Sequence, residues 1–78
     1  MNIGYEKEFG RNLRRIRESK NMTQEVVAAK MQLRGCDITR SAIAKIEVAQ
    51  RHIYVDEILL LKEIFYVSID DIFNKKDQ

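Results

Sequence analysis

The 78 residues carry fourteen Lys and Arg against twelve Asp and Glu, a net charge of +2, with 45% apolar residues, three Gly, no Pro and no Trp. That suffices for one small domain, marginally stable unless it associates, and the scarcity of turn-breakers favours an all-α fold. A membrane span is excluded, since no apolar run approaches the ~20 residues it needs, and a single Cys (Cys36) with a single His (His52) excludes an internal disulfide and a metal cluster.

The N-terminal stretch MNIGYEKEFG has neither the basic nor the apolar region of a signal peptide, so the expected compartment is the cytoplasm. Residues 1–51 hold eleven Lys/Arg against six Asp/Glu, whereas residues 52–78 hold three against six. The basic part suits a polyanion; the acidic part is repelled by one and should face away from it. Cys36 reads as a small loop residue, with a redox or intermolecular role as the alternative.

In chain order, Tyr5, Phe9, Leu13 and Ile16 recur at spacings of four, four and three, which predicts a helix over 5–20 with these residues inward. Its other side carries Lys7, Arg11, Arg14, Arg15 and Glu18, read as a solvated face. Three further helix starts share one pattern: Met22-Thr23 with Val27, Ile38-Thr39 with Ile43, and Val67-Ser68 with Ile72. In each, a hydroxyl can cap the first free N–H groups, and the apolar residues on either side can clamp together. Asp71, three after Ser68, matches the acidic half of a capping box, and Asp70 also suits a helix start. These starts predict helices over 24–32, with Val27 and Met31 inward and Ala28 allowing a close crossing, over 40–48, with Ile43 and Ile46 inward, and over 68–73. Another helix spans 55–65 and buries Ile58, Leu61, Ile64 and Phe65. Gly35 is the expected turn point in LRGCDI. Tyr66 and Ile69 are expected to close the core, His52 and Tyr54 to lie in a loop, and the tail NKKDQ to fray. The sum is one all-α domain over 1–78 with five helices.

Residues 23–47 carry the chemistry. Two short helices are joined by a polar turn, and the second opens with Thr39, Arg40 and Ser41 and shows Lys45 one turn later. An α-helix fits the major groove of DNA, where Arg, Lys and Ser can bond to base edges. The alternative is that Arg40 and Lys45 are ordinary surface charges and Glu47 an exposed acid. No catalytic constellation is visible: Ser41 and Ser68 sit in no elbow motif with a His base, and there is no glycine-rich phosphate loop. Neither an enzyme nor a cofactor is expected.

The order of these features resembles a known family: a basic first helix, T-Q-E, an Ala after two apolar positions, I-T-R-S-x-I-x-K-I-E, an apolar fourth helix and V-S-I-D-D-I-F. Over residues 6–73 the chain resembles the helix-turn-helix domain of the lambda-repressor-like, Xre-type DNA-binding proteins. The resemblance implies a five-helix lambda-repressor-like fold and double-stranded DNA as the partner. It implies that Gln24 meets a phosphate at the groove edge, that Thr39 caps the recognition helix and touches DNA backbone, and that Arg40, Ser41 and Lys45 face the bases. Gln50 and Arg51 match a loop that contacts phosphate. Arg17 and Glu47 match a buried ion pair that ties the first helix to the third. Three departures stand out. LRGCD is an insertion in the usual turn, able to shift the recognition helix or to add a backbone contact through Arg34. Ala49 stands in place of Gly, so a different backbone conformation is expected there. Ile53 stands in place of Pro.

These residues point to a transcriptional regulator acting as a homodimer, in the first instance a repressor that occludes a promoter, with activation by touching polymerase equally compatible with the sequence. The rival is a protein-interaction module of the same fold, such as an antitoxin or a regulator-binding subunit, docking through the fourth and fifth helices. Phe73 offers itself for a dimer contact. No membrane partner is expected.

Overall fold

The computed structural model describes residues 3–74, which form five helices: α1 (Ile3–Ser19), α2 (Gln24–Leu33), α3 (Arg40–Glu47), α4 (Val55–Phe65) and α5 (Ile69–Phe73). There are no strands among the described residues. Of the tail NKKDQ only Asn74 is included, so the expectation for the rest lies outside the described residues.

The hydroxyl residues set three helix starts. Thr23 Oγ1 accepts from the Val26 N–H at 3.1 Å, Thr39 Oγ1 from that of Ala42 at 3.1 Å and Ser68 Oγ from that of Asp71 at 3.0 Å. Asp71 reciprocates by accepting from the Ser68 N–H at 3.2 Å, which completes a capping box. The flanking apolar residues all turn inward: Val27, Ile38, Ile43 and Ile72 lie in the core, and Met22 and Val67 pack against it. α4 follows Tyr54 and has no Ser or Thr at its start. There the Glu57 carboxylate accepts from the Tyr54 N–H at 2.9 Å.

The C-terminal ends of α1 to α4 share one device. Each is followed by a residue of positive φ: Asn21 (58°), Gly35 (87°), Ala49 (61°) and Tyr66 (56°). The next N–H in each case reaches back to a carbonyl of the last turn: Met22 to Arg17 at 3.2 Å, Cys36 to Met31 at 3.0 Å, Gln50 to Lys45 at 2.8 Å and Val67 to Lys62 at 3.3 Å. This Schellman closure satisfies carbonyls that the helix leaves free, and Gly or Asn enters it with least strain. Ala49 and Tyr66 enter it at a cost of about 1 kcal/mol each. The expected change of backbone at Ala49 therefore does not occur. Its N–H bond to Ile46 (3.2 Å) and the Gln50–Lys45 bond hold it in the left-handed region despite its Cβ.

The core gathers Leu13 and Ile16 from α1, Val27, Ala28 and Met31 from α2, Ile38, Ile43 and Ile46 from the turn and α3, Leu61, Ile64 and Phe65 from α4, and Ile72 from α5. α3 packs on both α2 and α1, α2 also meets α4, and α5 packs on α1. Gly10 permits the crossing of α1 over the end of α3: a Cβ there would lie 2.7 Å from the Ile46 carbonyl oxygen and closer still to that of Glu47. Asn12 ties α5 to α1, its Nδ2 donating to the carbonyls of Asp71 (2.9 Å) and Ile72 (2.6 Å).

Three residues expected inward point outward: Tyr5, Ile69 and Tyr66 are 72%, 37% and 89% exposed. Tyr5 lies in the first turn of α1, at the rim of the apolar face. Ile69 opens α5, a five-residue helix that buries only Ile72. Tyr66 follows the last turn of α4 in left-handed geometry, outside the core. The inserted turn does not hang free. Ile38 is buried, Cys36 packs against the core, and Gln32 Nε2 donates to the Ile38 carbonyl at 2.6 Å. Burial pushes the Cys36 thiol pKa up, reinforced by the charge of Glu57, which disfavours the reactive thiolate.

Candidate nucleic-acid interface

α3 turns Ile43, Ile46 and Glu47 inward and leaves Arg40, Ser41, Lys45 and Val48 exposed, with Ala44 half-buried among them. Positions 40, 44 and 48 repeat every fourth residue and 41 and 45 lie beside them, so these five side chains share one face. Polarity alone singles out Arg40, Ser41 and Lys45. The four-residue repeat through Arg40 is the signal that adds Ala44 and Val48. Thr39 Oγ1 is engaged as the helix cap.

Behind that face lies a chain of polar contacts. Arg17 donates from Nε to Glu47 Oε2 at 2.6 Å and from Nη2 to Oε1 at 3.1 Å, with both side chains buried. Its Nη1 also donates to the Met22 carbonyl at 2.8 Å, so one guanidinium holds α1, the α1–α2 turn and α3 together. The hydrogen bond to Glu47 is the main cause that raises the Arg17 pKa, against the opposing effect of burial. Gln24, at the start of α2, donates to Glu47 Oε1 at 2.9 Å and accepts from Arg40 Nη1 at 3.3 Å. The structure thus brings Arg17, Glu47, Gln24 and Arg40 into one network that runs from α1 to the N-terminal end of α3.

Arg51 sits apart, in the loop between α3 and α4. It donates to both carboxylate oxygens of Glu57, at 3.0 and 3.1 Å, and to the His52 carbonyl at 2.8 Å, and it lies 5.3 Å from the centre of the Tyr54 ring. The Glu57 hydrogen bond is the chief cause raising the Arg51 pKa. Burial pushes the Glu57 carboxyl up, but the bonds from Arg51 and the Tyr54 N–H outweigh it and hold the group below the usual carboxylate range. Glu57 is buried, and sequence spacing gave no hint of it: an acid in the first turn of a helix is ordinary on the surface. Gln50 is exposed at the same loop. Arg34, in the inserted turn, is exposed and donates to the Lys30 carbonyl at 3.1 Å.

The helix-turn-helix family profile matches residues 13–72, most of the chain. The chain belongs to the helix-turn-helix family, of the lambda-repressor-like, Xre type. Neither the curated proteins nor the solved structures yield a match. The family is a DNA-binding one and not typically enzymatic, so in general terms the chain is a helix-turn-helix DNA-binding regulator. Among the described residues, no helix is long and apolar enough to cross a membrane.

Proposed function

We propose that the chain is a sequence-specific, double-stranded DNA-binding transcriptional repressor, acting in the cytoplasm as a homodimer, with residues 1–78 as one DNA-binding domain. The observation that carries this reading is the exposed face of Arg40, Ser41, Ala44, Lys45 and Val48 on a helix anchored from behind by a buried ion pair. With α3 in the major groove, Arg40 bonds to guanine, Ser41 and Lys45 reach neighbouring base edges, and Ala44 and Val48 meet thymine methyl groups. Gln24, Thr39, Gln50 and Arg51 address phosphates and fix the register. Gln24 does so while bridging Glu47 and Arg40, and Arg51 with donors left free by Glu57 and His52. Two copies related by a two-fold axis read half-sites about 34 Å apart, and occupancy of a promoter represses it.

α4 supports the dimer and also a second reading. Val55 and Leu59 are 74% and 48% exposed, and with Lys62 they form one stripe at helical spacing. In the first reading the stripe joins two copies. In the second, the chain is a protein-interaction module, such as an antitoxin or a regulator-binding subunit, and the stripe faces another protein.

Selection of bound duplexes from a random DNA pool at near-physiological salt tests the proposal. An enriched inverted repeat supports a dimeric, sequence-specific regulator; a single enriched half-site supports a monomeric reader. Absence of enrichment, with binding to any duplex that fades steeply as salt rises, reduces the function to phosphate contact alone. No binding at low salt overturns the DNA reading in favour of the interaction module.

A further inference from the structure

Arg40 is the first residue of α3 and carries the longest side chain on its exposed face. A free arginine samples many rotamers, and fixing one of them on binding costs entropy. Here the side chain is tethered in advance. Its Nη1 donates to Gln24 Oε1 at 3.3 Å, and Gln24 Nε2 donates to Glu47 Oε1 at 2.9 Å. Glu47 is in turn held by Arg17, through Nε at 2.6 Å and Nη2 at 3.1 Å. No comparable side-chain bond reaches Ser41 or Lys45 among the described residues.

The buried carboxylate decides which way round the Gln24 amide sits. Glu47, paired with Arg17, only accepts hydrogen bonds, so it faces the NH2 end of the amide. The amide oxygen then points to Arg40, whose guanidinium only donates. The tether also selects an edge of Arg40. With Nη1 engaged, the Nε–Nη2 edge remains for a base. Arg17 uses that same edge to grip both Glu47 oxygens, and two parallel donors of this kind match O6 and N7 of guanine. The second amide hydrogen of Gln24 stays available to a phosphate. When DNA excludes water from this surface, the long Gln24–Arg40 bond gains strength.

We infer that Gln24 is a positioning residue for base readout: anchored by the buried Glu47, it holds Arg40 with its Nε–Nη2 edge turned to guanine. The inference rests on the DNA-binding reading above, and it gives Gln24 a part in specificity as well as in phosphate contact. The experiment measures, at fixed salt, binding to the duplex enriched by selection and to duplexes that differ from it at single base pairs. The base pair read by Arg40 is the one at which Arg40→Met loses discrimination. Gln24→Met should lower discrimination at that base pair about three- to tenfold and leave it unchanged at the others. In the Arg40→Met background the same change should alter no discrimination. A parallel fall in affinity for every duplex, with a shallower salt dependence, belongs to the lost phosphate contact and divides out of the ratios. If Gln24→Met fails to fold, Gln24→Asn, whose shorter side chain cannot span Glu47 and Arg40, gives the same readout. Intact discrimination in the Gln24 variant, a loss spread over every base pair, the same loss in the Arg40→Met background, or an Arg40→Met variant that discriminates as the wild type does each overturns the positioning role and leaves the DNA reading in place. A wild-type chain without base preference overturns both.

Discussion

Two bidentate Arg–carboxylate pairs flank α3, and they differ in kind. Arg17–Glu47 joins residues 30 apart in sequence, with side chains 9% and 4% exposed, where α1 crosses α3. Arg51–Glu57 spans six residues in the loop that leaves α3, with the arginine 29% exposed. The first pair exists only once α1 is seated, so it belongs to the closure of the fold. The second is local and shapes a loop. The difference teaches where a broken pair hurts: water can reach Arg51 when its partner is lost, but it cannot readily reach Arg17.

Glu47→Ala is the largest expected effect. It strands the buried Arg17 charge at a cost of about 3–5 kcal/mol, and it frees Gln24 from one of its two partners. Thermal unfolding followed by circular dichroism should show a Tm at least about 10 °C lower. A fall of only about 2 °C would erase the contrast between the two pairs. Replacing both members by apolar residues, Arg17→Met with Glu47→Leu, should recover much of the loss, because no charge is then left buried.

Arg40→Ala comes next, and it acts on the other end of the same network. Gln24 Oε1 loses an exposed contact at 3.3 Å, so stability should hold within about 0.5 kcal/mol. Discrimination between the preferred operator and a base-substituted one should fall by about 1–3 kcal/mol, measured by competition at fixed salt. Unchanged preference would remove Arg40 from the bases.

Glu57→Gln probes the loop pair. Glu57 has a folded pKa below its unfolded value, so its contribution is present above the ordinary carboxylate pKa of about 4.3 and is lost as pH falls through the folded value. Glu57→Gln should lower stability at neutral pH by about 1–2 kcal/mol and flatten the acid limb of the stability curve. With the loop released, Arg51 keeps its charge, so DNA affinity should fall less than stability does. An unaltered acid limb would show that Glu57 titrates as if unpaired.

The comparison also explains what was legible in the sequence. The hydroxyl caps of α2, α3 and α5 rest on residues three or four apart, and such short-range rules place helix starts well: Thr23, Thr39 and Ser68 each bond as their spacing implies. α4 starts on a carboxylate instead, and its Glu57 serves both the Tyr54 N–H and Arg51, a double use that no local pattern marks. Periodicity misjudged Tyr5, Ile69 and Tyr66 because it ranks residues by face and ignores where an element ends. The exposed side of α3 was readable because the helix is short and its inward side is fixed by Ile43 and Ile46. The network through Gln24 depends on how α1, α2 and α3 cross, which Gly10 hints at only once the Glu47 carbonyl is found beneath it.

The smallest expected effect lies between the two pairs, at Ala49. Its φ of 61° suits Gly better, so Ala49→Gly relieves about 1 kcal/mol of strain, while the freer unfolded chain opposes it by about 0.4–1 kcal/mol. The net gain should be a few tenths of a kcal/mol, read as a Tm higher by about 2 °C, with the loop pair and DNA affinity unchanged. Gly35→Ala is the reciprocal case. A Cβ at Gly35 meets nothing within 4 Å, so its φ of 87° is the only penalty, and strain and unfolded-state terms again oppose each other by similar amounts. Since α2 and α3 end on the same closure, the two variants should shift Tm in opposite directions by comparable small steps. If Ala49→Gly lowers Tm instead, the left-handed turn is not what strains that position, and the end of α3 is held chiefly by Arg51 and Glu57.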